Sequence, residues 1–386
     1  MALDKKTISK KAKAKKAAAK KPTKKAIAKK ASPRKALSKN KIRKSAPSKN
    51  EALKTSEDVM ASNDKDQTKI YSIKHFPVTM FAGILGLTGL GLAWRQASVV
   101  LGWPAFIGEL ICWFATGYAI AIYLLYAIKI TRHPTHVYDD FYHPVRGNFI
   151  TAGSMGLMLL ASAAIPYSIV MAEVLWVTGA ISTVALTLII IKSWFIRQSI
   201  IKQMTPAWFI PPVGIIVAPI AGYTLGYHDL SWMMMGVGII FWILLFTIFF
   251  NRQLFHPAIS DSLRPTLFIL ITPPALCAIG FTILQGGYMD NAAKMMYGIA
   301  LFIALLMLVK IKRFIGIPFG MPWWSYTFPM TALSMASILY HDQDGGGISA
   351  AVAQIILVIT TTMVIYVLAR TLIAFANGKL FRAPAA

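Results

Sequence analysis

Residues 323–340, WWSYTFPMTALSMASILY, contain no charged side chain, and nine other stretches of similar length are nearly as apolar. An α-helix rises 1.5 Å per residue, so about 20 apolar residues cross ~30 Å of hydrocarbon. A chain inside a bilayer must satisfy its own backbone, which restricts such stretches to helices. The spans fall at about 76–97, 103–128, 147–165, 168–191, 211–226, 230–250, 266–284, 292–309, 323–340 and 349–374. The fifth is short, but Pro211 and Pro212 at its start and Pro219 inside it predict a bent span. Pro329, directly after Phe328, predicts a bend near residues 325–329.

Charge separates the rest of the chain. The net charge is +25, yet residues 1–75 hold 24 of the 40 Lys and Arg and 6 of the 15 acids, about +18. Residues 1–70 form a Lys/Ala-rich tail too poor in large apolar groups to bury a core, so it is expected to be disordered. Contact with anionic lipid is one reading of it. Nucleic-acid binding is another, weakened by the lack of any aromatic residue before Tyr71. Ser32, Ser38, Ser45 and Ser48 lie among basic residues, where phosphorylation would cut the charge. The start, MALDKKTISKK, has no apolar core of a secretory signal. With the tail inside, the cytoplasmic connections carry fourteen Lys and Arg, and the outer ones only Arg95 and Lys294. The expected topology is a multi-pass protein of the inner or plasma membrane with both termini cytoplasmic, the domain covering residues 71–376 and a short tail 377–386.

Outer connections such as 166–167 and 227–229 are short and force antiparallel neighbours. The spans therefore pair as five helical hairpins. Odd spans are rich in Gly and Pro, among them Gly83, Gly86, Gly89, Gly153, Gly156, Pro273 and Pro274; even spans are bulky. Small residues suit helices enclosed by other helices, and bulky aliphatics suit lipid. The fold expected is an all-α membrane protein of ten transmembrane helices, five hairpins in a quasi-five-fold ring around a central pore. An irregular bundle packed by the same residues is the alternative.

The segments FAGILGLTGLGLAW (81–94), YHPVRGNF (142–149), AEVLWVTG (172–179), LGYHDL (225–230) and WWSYTFPMTALSMA (323–336) resemble those of the TehA group. This is the tellurite-resistance/C4-dicarboxylate transporter family that includes the plant slow-type anion channels. The resemblance covers about 75–375. It implies a homotrimer with one anion pore per subunit, blocked midway by a phenylalanine that matches Phe328, and it places Leu276 at the pore. Some relatives carry a proline near Ile84, so bending of the first span is expected to rest on Gly83 and Gly86. Depth and small size add Ala82, Gly86, Gly153 and Pro219 as pore-lining candidates, with Pro329 beside the ring.

No Lys or Arg is expected within the odd spans beyond their cytoplasmic ends, so the pore offers only weak dipoles. That favours monovalent anions that dehydrate easily, nitrate over chloride. The first functional reading is thus a passive channel for small anions. A proton-coupled carrier of C4-dicarboxylates or tellurite-type oxyanions is the second, and a basic tail binding lipid or nucleic acid on a membrane anchor is the third. Glu109 and Glu173 are acids within even spans, read as structural. Arg132–His143, with His133, His136, Asp139, Asp140 and His143, has no metal-site spacing and reads as a wet interfacial loop. Cys112 and Cys277 lie in apolar runs and read as small buried side chains. No nucleophile–base constellation or phosphate loop is present, so no enzyme, cofactor or metal is expected.

Overall fold

A computed structural model describes residues 72–196, 201–378 and 380, and every regular element among them is a helix. In chain order these are α1 Phe81–Val100, α2 Ala105–Arg132, α3 Pro134–Tyr142, α4 Ile150–Ala164, α5 Ile169–Ile196, a broken segment Pro206–Gly222, α6 His228–Phe255, α7 Thr272–Leu284, α8 Asn291–Val309, α9 Thr327–Asp344 and α10 Gly347–Ala376. The basic tail, residues 1–70, and residues 381–386 lie outside the described residues.

Eight helical stretches are long and apolar enough to cross a membrane. The other two expected spans are helical but do not meet that measure. Pro206–Gly222 alternates 3-10 and α turns, because Pro211, Pro212 and Pro219 each remove a backbone donor. In α9 the apolar run is diluted by Thr327, Thr331, Ser334 and Ser337.

Burial divides the helices as the Gly/Pro pattern predicts. The spans containing α1, α4 and α7 are 89%, 78% and 83% buried, whereas α2, α5, α6, α8 and α10 are 28–33% buried. The buried set packs in a closed circuit: α1 on α4, α4 on the broken segment, that segment on α7, α7 on α9, and α9 back on α1. Each carries the next helix in sequence as its outer partner. This is the contact order that five hairpins in a ring require.

All five inner segments begin the same way. A 3-10 turn leads each one: Val78–Met80 before α1, Arg146–Phe149 before α4, Pro206–Phe209, Asp261–Ile271 before α7 and Met321–Tyr326 before α9. The bend expected near Pro329 is this 3-10-to-α junction, at Tyr326–Thr327. Pro329 itself sits in the first turn of α9, where a missing donor is tolerated. At the opposite end, tight turns close the hairpins. Four of them use a glycine at positive φ, among them Gly226 at 84° and Gly345 at 65°.

Several expectations change. α1 runs uninterrupted through Gly83 and Gly86. They allow close approach: a Cβ at Gly83 would run into the Tyr118 hydroxyl, and one at Gly86 into the Thr327 side chain. Arg95 belongs to α1, not to a connection. Its charge is held by Glu109 at 2.7 Å, and the Tyr167 hydroxyl bonds the same carboxylate. One hairpin further on, Tyr227 donates to Glu173 at 2.6 Å, so both intramembrane acids repeat one clasp between neighbouring hairpins.

The expected wet loop after Arg132 contains the helix α3, started by Pro134. Asp140 within it is buried and accepts from Lys129 at 2.5 Å and Arg146 at 2.9 Å. Lys129 also donates to the Phe76 carbonyl at 2.8 Å. This ties the segment before α1 to the start of α4. Buried charges persist only when paired in this way.

Candidate functional site

The 3-10-to-α junctions face one another across a small cavity of about 50 Å³. Every inner segment contributes to its wall: Ala82 and Leu85 from α1; Phe149, Ala152 and Met155 around the start of α4; Phe209, Ile210, Val213 and Gly214 from the broken segment; Ile269, Thr272 and Pro273 before and within α7; and Trp324, Ser325, Phe328 and Pro329 around the start of α9. None of these side chains ionises. The Ser325 hydroxyl and the Trp324 indole N–H are buried without a protein partner. Ser325 and Phe328, three residues apart across the junction, both line this cavity.

Phe328 is 7% exposed and reaches α1. A Cβ added at Gly89 would lie 3.4 Å from its ring edge. Gly89 is one turn beyond Leu85, the last α1 residue on the cavity wall, so the ring stands where the cavity ends. Two hydroxyls tie off locally around it. Thr327 donates to the Trp324 carbonyl at 2.8 Å and Thr331 to the Phe328 carbonyl at 2.9 Å. Both Thr side chains also fill the space left by Gly86 and Gly89.

Of the residues singled out in the sequence, Phe328, Ala82 and Pro329 meet at this cavity. Gly86 packs on Thr327 and Gly153 on the Phe81 ring. Leu276 is buried one turn beyond Thr272 and Pro273, and Pro219 is buried near Gly280 beyond the wall residue Gly214. The sequence reading passed over Leu85, Phe149, Met155, Phe209, Trp324 and Ser325. The signal that finds them is their position at the point where each inner segment changes from 3-10 to α winding.

At the lead-in end of α4, His143 caps the turn. Its Nδ1 accepts from the backbone N–H of Val145 at 3.1 Å and of Arg146 at 3.2 Å. Burial, and then the neighbouring Arg146 charge, hold this imidazole below its ordinary pKa.

An all-helical, multi-pass membrane protein built round an uncharged internal cavity belongs, by class, with pores and carriers for solutes. The family can be stated: residues 75–372 match the one described as voltage-dependent anion channel, and the chain belongs to it. The chain is 26% identical over 341 residues to the S-type anion channel SLAH3 of Arabidopsis thaliana, covering 86% of this chain and 53% of that protein. The guard cell S-type anion channel SLAC1 of the same plant is 26% identical, covering 85% and 61%. A tellurite resistance protein TehA homolog of Haemophilus influenzae is 25% identical over 328 residues, covering 82% of this chain and 97% of that protein. The chain thus spans roughly half to two thirds of these plant relatives.

Proposed function

We propose that the chain is a passive channel for monovalent anions of the chloride and nitrate kind, with its pore closed by the Phe328 ring. The observation that carries this reading is the cavity to which all five inner segments contribute and at whose end that ring stands. Its wall holds no fixed charge, so an anion there meets no side chain more polar than the hydroxyls of Thr272 and Ser325 and the Trp324 indole. Weak, neutral donors bind loosely enough to release, and they cannot compensate a doubly charged carboxylate. Ala82 and Pro329 line the closed path at the ring; Gly86, Gly153, Pro219 and Leu276 are assigned to the passage beyond and beside it. The protein is taken to work as a homotrimer in the plasma membrane, with its basic tail in the cytoplasm and free to meet anionic lipid.

A proton-coupled carrier would need a titratable group along the path. Glu109 and Glu173 sit on outer helices, clasped by Tyr167 and Tyr227, and neither lines the cavity.

The test is reconstitution of the full chain with anion-gradient reversal potentials. Phe328→Ala should raise the anion current at least about tenfold, the effect of lowering a barrier by ~1.4 kcal/mol. Reversal potentials should favour nitrate over chloride. Unchanged current in Phe328→Ala, or saturable flux that follows a proton gradient, overturns the proposal.

A further inference from the structure

Arg252 lies in the last turn of α6 and is 5% exposed. It has no acidic partner among the described residues. Its one hydrogen bond is long, from Nη2 to the Lys202 carbonyl at 3.5 Å, and its Nε and Nη1 have none. The other cations withdrawn from water here are paired, Lys129 with Asp140 and Arg95 with Glu109. A buried guanidinium left without a counter-charge is costly, and such a group calls for a missing partner.

The space beside it defines that partner. Arg252 lines a cavity of about 310 Å³ together with Pro144, Lys202, Thr205 and Ser260. No lining residue is acidic. Asp261, next in the chain, is held by Arg264 at 2.5 Å. Lys202 brings a second, exposed cation, and the Thr205 hydroxyl is buried without a partner. Two cations flanking a space of this size, with a partnerless hydroxyl beside them, suit an anion with several oxygens better than a halide. This cavity shares no residue with the one at Phe328.

We propose that this cavity binds a phosphate-type oxyanion, either free or as the headgroup of an anionic phospholipid. The anion neutralises Arg252 and bridges the chain ahead of the second, third and fourth inner segments. The experiment is calorimetric titration of inorganic phosphate into the full chain in phosphatidylcholine nanodiscs. Wild type should bind, and Arg252→Gln should weaken binding at least about tenfold, the loss of one charge-assisted contact. Lys202→Gln, at an exposed position, should also weaken it and decides the matter if Arg252→Gln fails to fold. Phe328→Ala should bind phosphate as wild type does, which keeps this site separable from the pore. A second arm adds phosphatidate to the nanodisc: loss of phosphate binding identifies the headgroup as occupant, and undiminished binding identifies the free ion. No phosphate binding to wild type, or equal affinity in wild type and both cavity variants, overturns the proposal.

Discussion

His143 shows how one side chain can hold a turn. Its neutral Nδ1 is the acceptor for two successive backbone N–H groups where the chain turns into the second inner segment. Protonation removes that acceptor. Because burial holds the folded pKa below the ordinary 6.5, the unfolded chain takes up the proton first as pH falls. Stability from this group is therefore complete above 6.5 and is lost as pH drops through the folded value. Thermal unfolding of the reconstituted protein followed across this range should show the loss. His143→Asn, whose Oδ1 can accept in place of Nδ1, should flatten it, and an unaltered pH profile would rule the mechanism out. That Phe328 borders an internal cavity was legible in the sequence only through the resemblance, since one Phe among 21 carries no mark of its own. Ser325 and Trp324 were missed because depth and small size do not report which way a side chain points.

At the level of elements, α1 and α9 approach closely because Gly86 and Gly89 face Thr327 and Thr331. Gly86→Ala should cost about 1–3 kcal/mol through overpacking, measured as a lower unfolding midpoint, and it should shift the current because Thr327 adjoins the ring. A silent substitution would mean that α9 has slack the structure does not show. Which helices are inner and which outer was readable from Gly and Pro against bulky aliphatics, and the burial of α1, α4 and α7 bears it out. Proline content read correctly as disturbed winding but not as its form. Isolated prolines predict kinks, whereas here even the lead-ins to α1 and α4, which contain no proline inside the turn, are 3-10. Arg95 and Asp140 were misplaced for a related reason. Their partners, Glu109 and Lys129, lie on other elements, and periodicity within one stretch cannot reveal a pairing between two.

For the whole molecule, charge and fold are separable. The excess of Lys and Arg in residues 1–75 gives that region about +18, while the spans contain few charges. Deleting residues 1–65 should leave anion current in reconstituted membranes intact, and abolished current would make the tail part of the transport unit. The shared winding of the inner segments has a mechanical corollary. A 3-10 turn advances about 120° and 2.0 Å per residue, an α turn about 100° and 1.5 Å. Rewinding three residues of Met321–Tyr326 would swing all that follows by about 60° and retract it by ~1.5 Å. A screw motion of that size needs no hinge and no broken helix, and it would carry the Phe328 ring sideways, as a cam turns on its shaft.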